Sequence, residues 1–162
     1  SSAPIPACPM ACAMPAATRP GRDGPCPAAL QLTIPGHAEA VSAGLRALLD
    51  ARLLRALPDE GRGTAELVLA EVLNNIVEHA YARHSGEIEV TLSRDAGGIL
   101  CEVADTGLPM PQGAPPAGQL PPLEGDDLPE GGFGWHLIRS LARDLEYRRE
   151  GGRNLLRFRL ES

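Results

Sequence analysis

A chain of 162 residues is long enough for one compact domain with its own core. Hydrophobic residues at 43% and charged residues at 22% fit a soluble globular protein, and with aromatics at only 3% the core must be built from Leu, Val, Ile and Ala. The formal net charge of −6 argues against direct nucleic-acid binding, which needs a basic surface to release phosphate counterions.

Residues 1–28 read as a disordered or loosely attached N-terminal arm, because Pro and Gly recur there without period. Three of the four cysteines, Cys8, Cys12 and Cys26, fall in this arm with no histidine and no paired CxxC spacing, so free thiols are expected rather than a zinc site. Cys101 lies in an apolar run and reads as a core thiol. No disulfide framework, signal-peptide pattern or membrane-length apolar run is visible, so a cytoplasmic protein with no membrane partner is expected.

The ordered domain is expected over residues 29–162. Residues 30–34 alternate as a short strand stopped by Pro35-Gly36. Val41, Leu45, Leu48, Leu49 and Leu53 recur at helical spacing and predict a first helix over 38–56. A second helix runs to about residue 82, with Thr64 as its cap or Asp59 as an earlier start. Its apolar face carries Leu69, Val72, Leu73, Ile76, Val77 and Ala80. Glu71, Asn75 and His79 follow at i, i+4 intervals as a separate polar stripe, an unusual one for a surface helix.

Two strands, 87–93 and 99–104, pair through a turn at Asp95-Ala96-Gly97-Gly98, and the second ends in Asp105-Thr106-Gly107. Residues 108–131 form a long loop in which Pro109, Pro111, Pro115, Pro116, Pro121, Pro122 and Pro129 leave no room for helix or strand. Gly131-Gly132-Phe133-Gly134 opens a helix whose apolar face runs Trp135, Ile138, Leu141, Ala142 and Leu145. Strands at 146–149 and 155–160 meet at Gly151-Gly152. The chain contains no Lys, which excludes a P-loop and any lysine Schiff base; a nucleotide would have to be held by backbone amides, a metal and arginine.

Taken singly, each motif has an ordinary structural reading: a turn after a strand, a solvated helix face, a glycine cap. His79 reads more simply as a histidine bonded to nearby backbone, and Arg139 as a solvated arginine, than as groups on a phosphate.

The order of the motifs is more specific. Glu71-Val72-Leu73-Asn74-Asn75, then Asp105-Thr106-Gly107-Leu108-Pro109, then Gly131-Gly132-Phe133-Gly134-Trp135 resembles the N, G1 and G2 boxes of the GHKL (Bergerat-fold) ATPases, nearest to the anti-sigma-factor serine kinase branch. The likeness covers residues 30–160. It implies an α/β (α+β) two-layer sandwich, a mixed, mostly antiparallel sheet with three helices on one face, and an ATP lid over 108–131. It implies ATP and Mg²⁺ as cofactors. Asp105 would accept from the adenine amine and reject guanine, and Gly107 would let the backbone approach the base. Asn75 would offer its oxygen to Mg²⁺, Gly132 and Gly134 would turn amides toward phosphate, and Glu71 would be the general base. In the family's final strand a Thr often stands near the adenine, and alignment sets Leu156 there.

The implied activity is a protein serine/threonine kinase that acts as an anti-sigma factor. It would phosphorylate a STAS-type anti-anti-sigma partner, otherwise hold a sigma factor, and dimerise through the first strand and helix. The alternative is a nucleotide-dependent protein-binding switch without phosphotransfer, a reading favoured by the absence of arginine from the lid and by its acids Glu124, Asp126 and Asp127. A detached sensor-kinase catalytic domain would need a phospho-acceptor His on a long dimerisation helix, and no such hairpin is readable here.

Overall fold

The computed structural model describes residues 29–119 and 133–162. The expected arm at 1–28, Gly131, Gly132 and the acids of the lid lie outside the described residues.

The elements run β1 (Leu30–Pro35), α1 (Ala38–Asp50), α2 (Arg52–Arg55), α3 (Asp59–Asn75), a π-helical turn (Ile76–Ala80), β2 (Glu87–Asp95), β3 (Gly98–Asp105), α4 (Phe133–Leu141), β4 (Arg143–Glu150) and β5 (Arg153–Leu160). The five strands form one sheet in the order β1-β2-β3-β5-β4. Each of the four pairings is antiparallel, so the fold is an α+β sandwich with an open antiparallel sheet.

Period-two patterning places Ile88, Val90 and Leu92 of β2, Ile99, Cys101 and Val103 of β3, and Leu156, Phe158 and Leu160 of β5 on one buried face. Val68, Leu69, Val72 and Leu73 of α3 close over that face, with Leu48 of α1 and Ile138 of α4 beside them. The opposite face is tiled with ion pairs. Arg153 meets Glu89, Arg157 lies 3.9 Å from Glu102, and Arg159 bridges Asp95 and Asp144.

Two boundaries differ from the sequence reading. The first helix does not continue to residue 56: Ala51 takes an extended conformation (φ −65°, ψ 143°), and α2 restarts at Arg52. In one straight helix Leu54 would point away from the face of Val41, Leu45 and Leu48; the break turns it into the core, where it is fully buried. α4 stops at Leu141 rather than continuing to Leu145. Asp144 adopts a left-handed φ of 51° beside a register shift between Arg143 and Glu146, so the chain reverses into β4. The second helix starts at Asp59, after the extended Pro58, with Asp59 and Glu60 in the first turn where they complement the helix dipole.

Among the described residues no helix is long and apolar enough to cross a membrane. Of the expected loop, residues 108–119 carry only a single 3₁₀ turn at Pro111–Gly113.

Candidate functional site

A cavity of about 470 Å³ opens where the end of α3, the ends of β3 and β5, the first turn of α4 and the chain after Asp105 meet. Asn75 and Asp105, thirty positions apart in sequence, both line it, together with Trp135, Tyr147, Asn154 and Leu156. The volume suits a small organic ligand.

Asn75 is the last residue of α3, and the helix then widens into the π turn, with Tyr81 N–H bonded to the Ile76 carbonyl at 2.9 Å. Such widened turns recur at functional sites because they re-aim the side chains beside them. His79, inside this turn, is exposed and lines the cavity. The Asn75 Nδ2 faces inward and has no hydrogen-bond partner among the described residues. One turn earlier, the half-buried Glu71 does not line the cavity. Its carboxylate lies against Gly134, where a Cβ would collide with Glu71 Oε2 and come within 3.7 Å of Asn75 Nδ2. Glycine at 134 is what lets the start of α4 approach both α3 side chains.

Asp105 lines the same cavity. It is buried, paired in register with Asn154 on β5. Its Oδ1 accepts from Gly107 N–H at 2.8 Å and from Asn154 Nδ2 at 2.8 Å. No hydrogen bond among the described residues engages Oδ2. Burial pushes the Asp105 carboxyl above its ordinary range, and the Asn154 amide, the Gly107 N–H and the Arg149 and Arg153 guanidinium groups act against that rise.

Gly107 has a packing requirement not readable in the sequence. Any Cβ there would run into the Ala80 carbonyl at the end of the π turn, the same carbonyl that accepts from Leu108 N–H at 2.9 Å. Tyr81 secures the turn from the other side: its hydroxyl donates to the Glu87 carbonyl at 2.6 Å and accepts from Thr106 N–H at 3.1 Å.

The residues after Asp105 are strapped to α4. Arg139 donates to the Pro116 and Pro115 carbonyls at 2.6 and 2.9 Å, and His136 Nδ1 meets the Gly118 carbonyl at 3.2 Å. Arg139, readable in the sequence as a solvated side chain, therefore has a structural partner. Arg139→Ala should speed amide exchange of residues 115–119 by roughly tenfold, as two charge-assisted bonds at an exposed site are lost. Exchange at the wild-type rate, followed by mass spectrometry, would show that the strap does not depend on Arg139.

Three side chains escaped the sequence reading: Asn154, Tyr147 and Arg149. A signal existed for the first. Asn154, Leu156, Phe158 and Leu160 occupy the inward positions of β5, and Asn154 is the one polar residue on that apolar set. Leu156, aligned with the family's Thr, does line the cavity, but the polar group that reaches Asp105 comes from two residues earlier. Among the described residues no cluster of three or more His, Cys, Asp or Glu could hold a metal by protein ligands alone.

The sequence model of one family, described as the histidine kinase-like ATPase domain, matches residues 34–160, nearly the whole described fold. The chain belongs to this family and is an ATP-binding, kinase-like ATPase domain. No match is found among curated proteins.

Proposed function

We propose that this domain is an ATP- and Mg²⁺-dependent protein serine/threonine kinase of the anti-sigma type, whose substrate is a STAS-domain anti-anti-sigma partner and which also holds a sigma factor. The observation that carries the reading is that Asn75 and Asp105 line one cavity, with Glu71 and Gly134 packed beside Asn75. That grouping of hard oxygen, helix N-terminus and buried carboxylate suits a molecule with phosphates at one end and an amino-purine at the other.

Asp105 Oδ2, not engaged by other described groups, is the acceptor for the adenine amine; the guanine carbonyl would meet it acceptor to acceptor. Asn75, which lines the cavity, would offer one amide oxygen to Mg²⁺, with the remaining positions left to phosphates and water; when bound, the ion neutralises phosphate charge. Gly134, and Gly132 before it, belong to the amides facing phosphate. Glu71 takes the proton of the attacking serine hydroxyl as its oxygen bonds to the γ-phosphorus and ADP departs. A homodimer through β1 and α1 and a cytoplasmic location belong to the same proposal.

The experiment is incubation with labelled ATP, Mg²⁺ and a STAS-domain protein encoded nearby. Label on a partner serine is the expected result. Glu71→Gln should slow transfer by roughly 10²–10⁴-fold, the usual weight of a general base, with ADP affinity within about twofold of wild type. Transfer at the original rate would remove Glu71 from the chemistry.

A second reading, a nucleotide-dependent binding switch without transfer, is favoured by the use of Arg139 on two carbonyls and the absence of arginine from 108–131. ATP binding without label on any partner serine would select it.

A further inference from the structure

The buried amide of Asn154 uses all of its hydrogen-bonding capacity, and its orientation is forced from both ends. Tyr147 Oη donates to its Oδ1 at 2.6 Å, and Arg149 Nη1, which can only donate, meets the same oxygen at 2.6 Å. Its Nδ2 donates to Asp105 Oδ1 at 2.8 Å and to the Leu108 carbonyl at 2.9 Å, both groups that can only accept. Tyr147 also accepts from Met110 N–H at 3.1 Å, and Arg149 also donates to the Gly107 carbonyl at 3.0 Å. The β4–β5 hairpin thus grips the turn at Asp105 and the first residues after it through one amide.

We infer that Asn154 is a positioning residue for base recognition: by holding Asp105 Oδ1 in its amide, with Tyr147 and Arg149 behind, it commits Asp105 Oδ2 to the cavity. This rests on the adenine assignment of Asp105 made above. The Gly107 N–H gives Asp105 Oδ1 one donor; without the second, from Asn154, the carboxylate can tilt out of place and pair with Arg149 directly. Asn154 stands between Asp105 and that guanidinium. Arg149 and Tyr147 on β4 and Arg153 on β5 are the ionisable groups around the pair. The position therefore affects which nucleobase binds, although it lies behind the residue that touches the base.

The test measures ADP and GDP affinity by calorimetry on the wild type and on Asn154→Asp, Asn154→Leu and Tyr147→Phe, with folding checked by thermal melts. In Asn154→Asp the new carboxylate repels Asp105 when ionised. When it carries a proton it restores a donor to Asp105 Oδ1. ADP affinity of this variant should fall on the order of 10–100-fold at about pH 8 and recover most of the deficit by about pH 6, as the two carboxylates come to share one proton. The wild type should show no such recovery. Asn154→Leu should lose a similar factor at every pH and narrow the preference for ADP over GDP. Tyr147→Phe, which deletes one hydroxyl, should lose about threefold. A loss in Asn154→Asp that ignores pH would mark a merely structural role and overturn the inference. So would wild-type affinity in Asn154→Leu and Tyr147→Phe. Wild-type protein that binds no adenine nucleotide would remove the adenine assignment and this inference together, whereas wild-type binding with unaffected variants removes this inference alone.

Discussion

Asp105→Asn should lose on the order of 100-fold in ATP affinity, about 3 kcal/mol, while the ligand-free protein becomes more stable at neutral pH. Both halves follow from the same geometry. An asparagine keeps an oxygen where Oδ1 accepts from Gly107 and Asn154, so the turn survives. Its other end becomes an NH₂ aimed into the cavity, donor against the adenine amine. The stability change has a definite sign. Burial raises the Asp105 carboxyl above its unfolded value, so the folded state favours the neutral form. The associated stability is fully present below the unfolded pKa and is lost as pH rises through the folded one. At neutral pH the wild type therefore carries a penalty that the amide does not. Melting temperatures should favour Asp105→Asn at pH 7 and converge as pH falls below the ordinary carboxylate range. Undiminished nucleotide affinity would refute the adenine assignment. A lower melting point at pH 7 would refute the electrostatic account.

Gly107→Ala should cost about 2–3 kcal/mol and lower the melting temperature by roughly 8–12 °C. The backbone of Gly107 is not left-handed, so alanine adopts it without conformational strain. The damage comes from the added methyl meeting the Ala80 carbonyl, a backbone atom that also holds Leu108 and cannot retreat. Gly63 supplies the control. It lies inside α3, and a Cβ there meets nothing within 4 Å. Gly63→Ala should stabilise the chain by about 0.5–1 kcal/mol through helix propensity alone. If both substitutions shift the melting point alike, the contact at Ala80 is not what requires glycine.

Where one local pattern governs, the sequence was readable. Alternation in β2, β3 and β5 reports a sheet with one face in the core, and the spacing of Leu69, Val72, Leu73 and Ile76 reports the helix above it. The breaks were not readable. Ala51 carries no turn chemistry, and the helix ends there because Leu54 has a place in the core, which only the tertiary packing sets. Asp144 could have raised suspicion, since Asp tolerates the left-handed region, but the apolar spacing through Leu145 outweighed it. In the site, Asn75, Asp105 and Gly134 were legible only because their order resembles a known set of motifs; spacing alone left each with an ordinary reading. Asn154 sits 49 positions from the carboxylate it binds, and strand pairing, not sequence proximity, joins them. Gly132 falls outside the described residues, so its expected part at the phosphates stays with the proposal.

The ion-paired face of the sheet bears on how another macromolecule would approach. Glu89 and Asp95 are held below the usual carboxylate range by bonds from Arg153 and Arg159, so these pairs persist into mildly acidic solution. A surface of matched opposite charges cancels its own field within a few ångströms and gives an incoming protein little acceleration from afar. A partner landing there would have to match an alternating mosaic rung by rung. Association through this side should therefore be slow and only weakly affected by ionic strength.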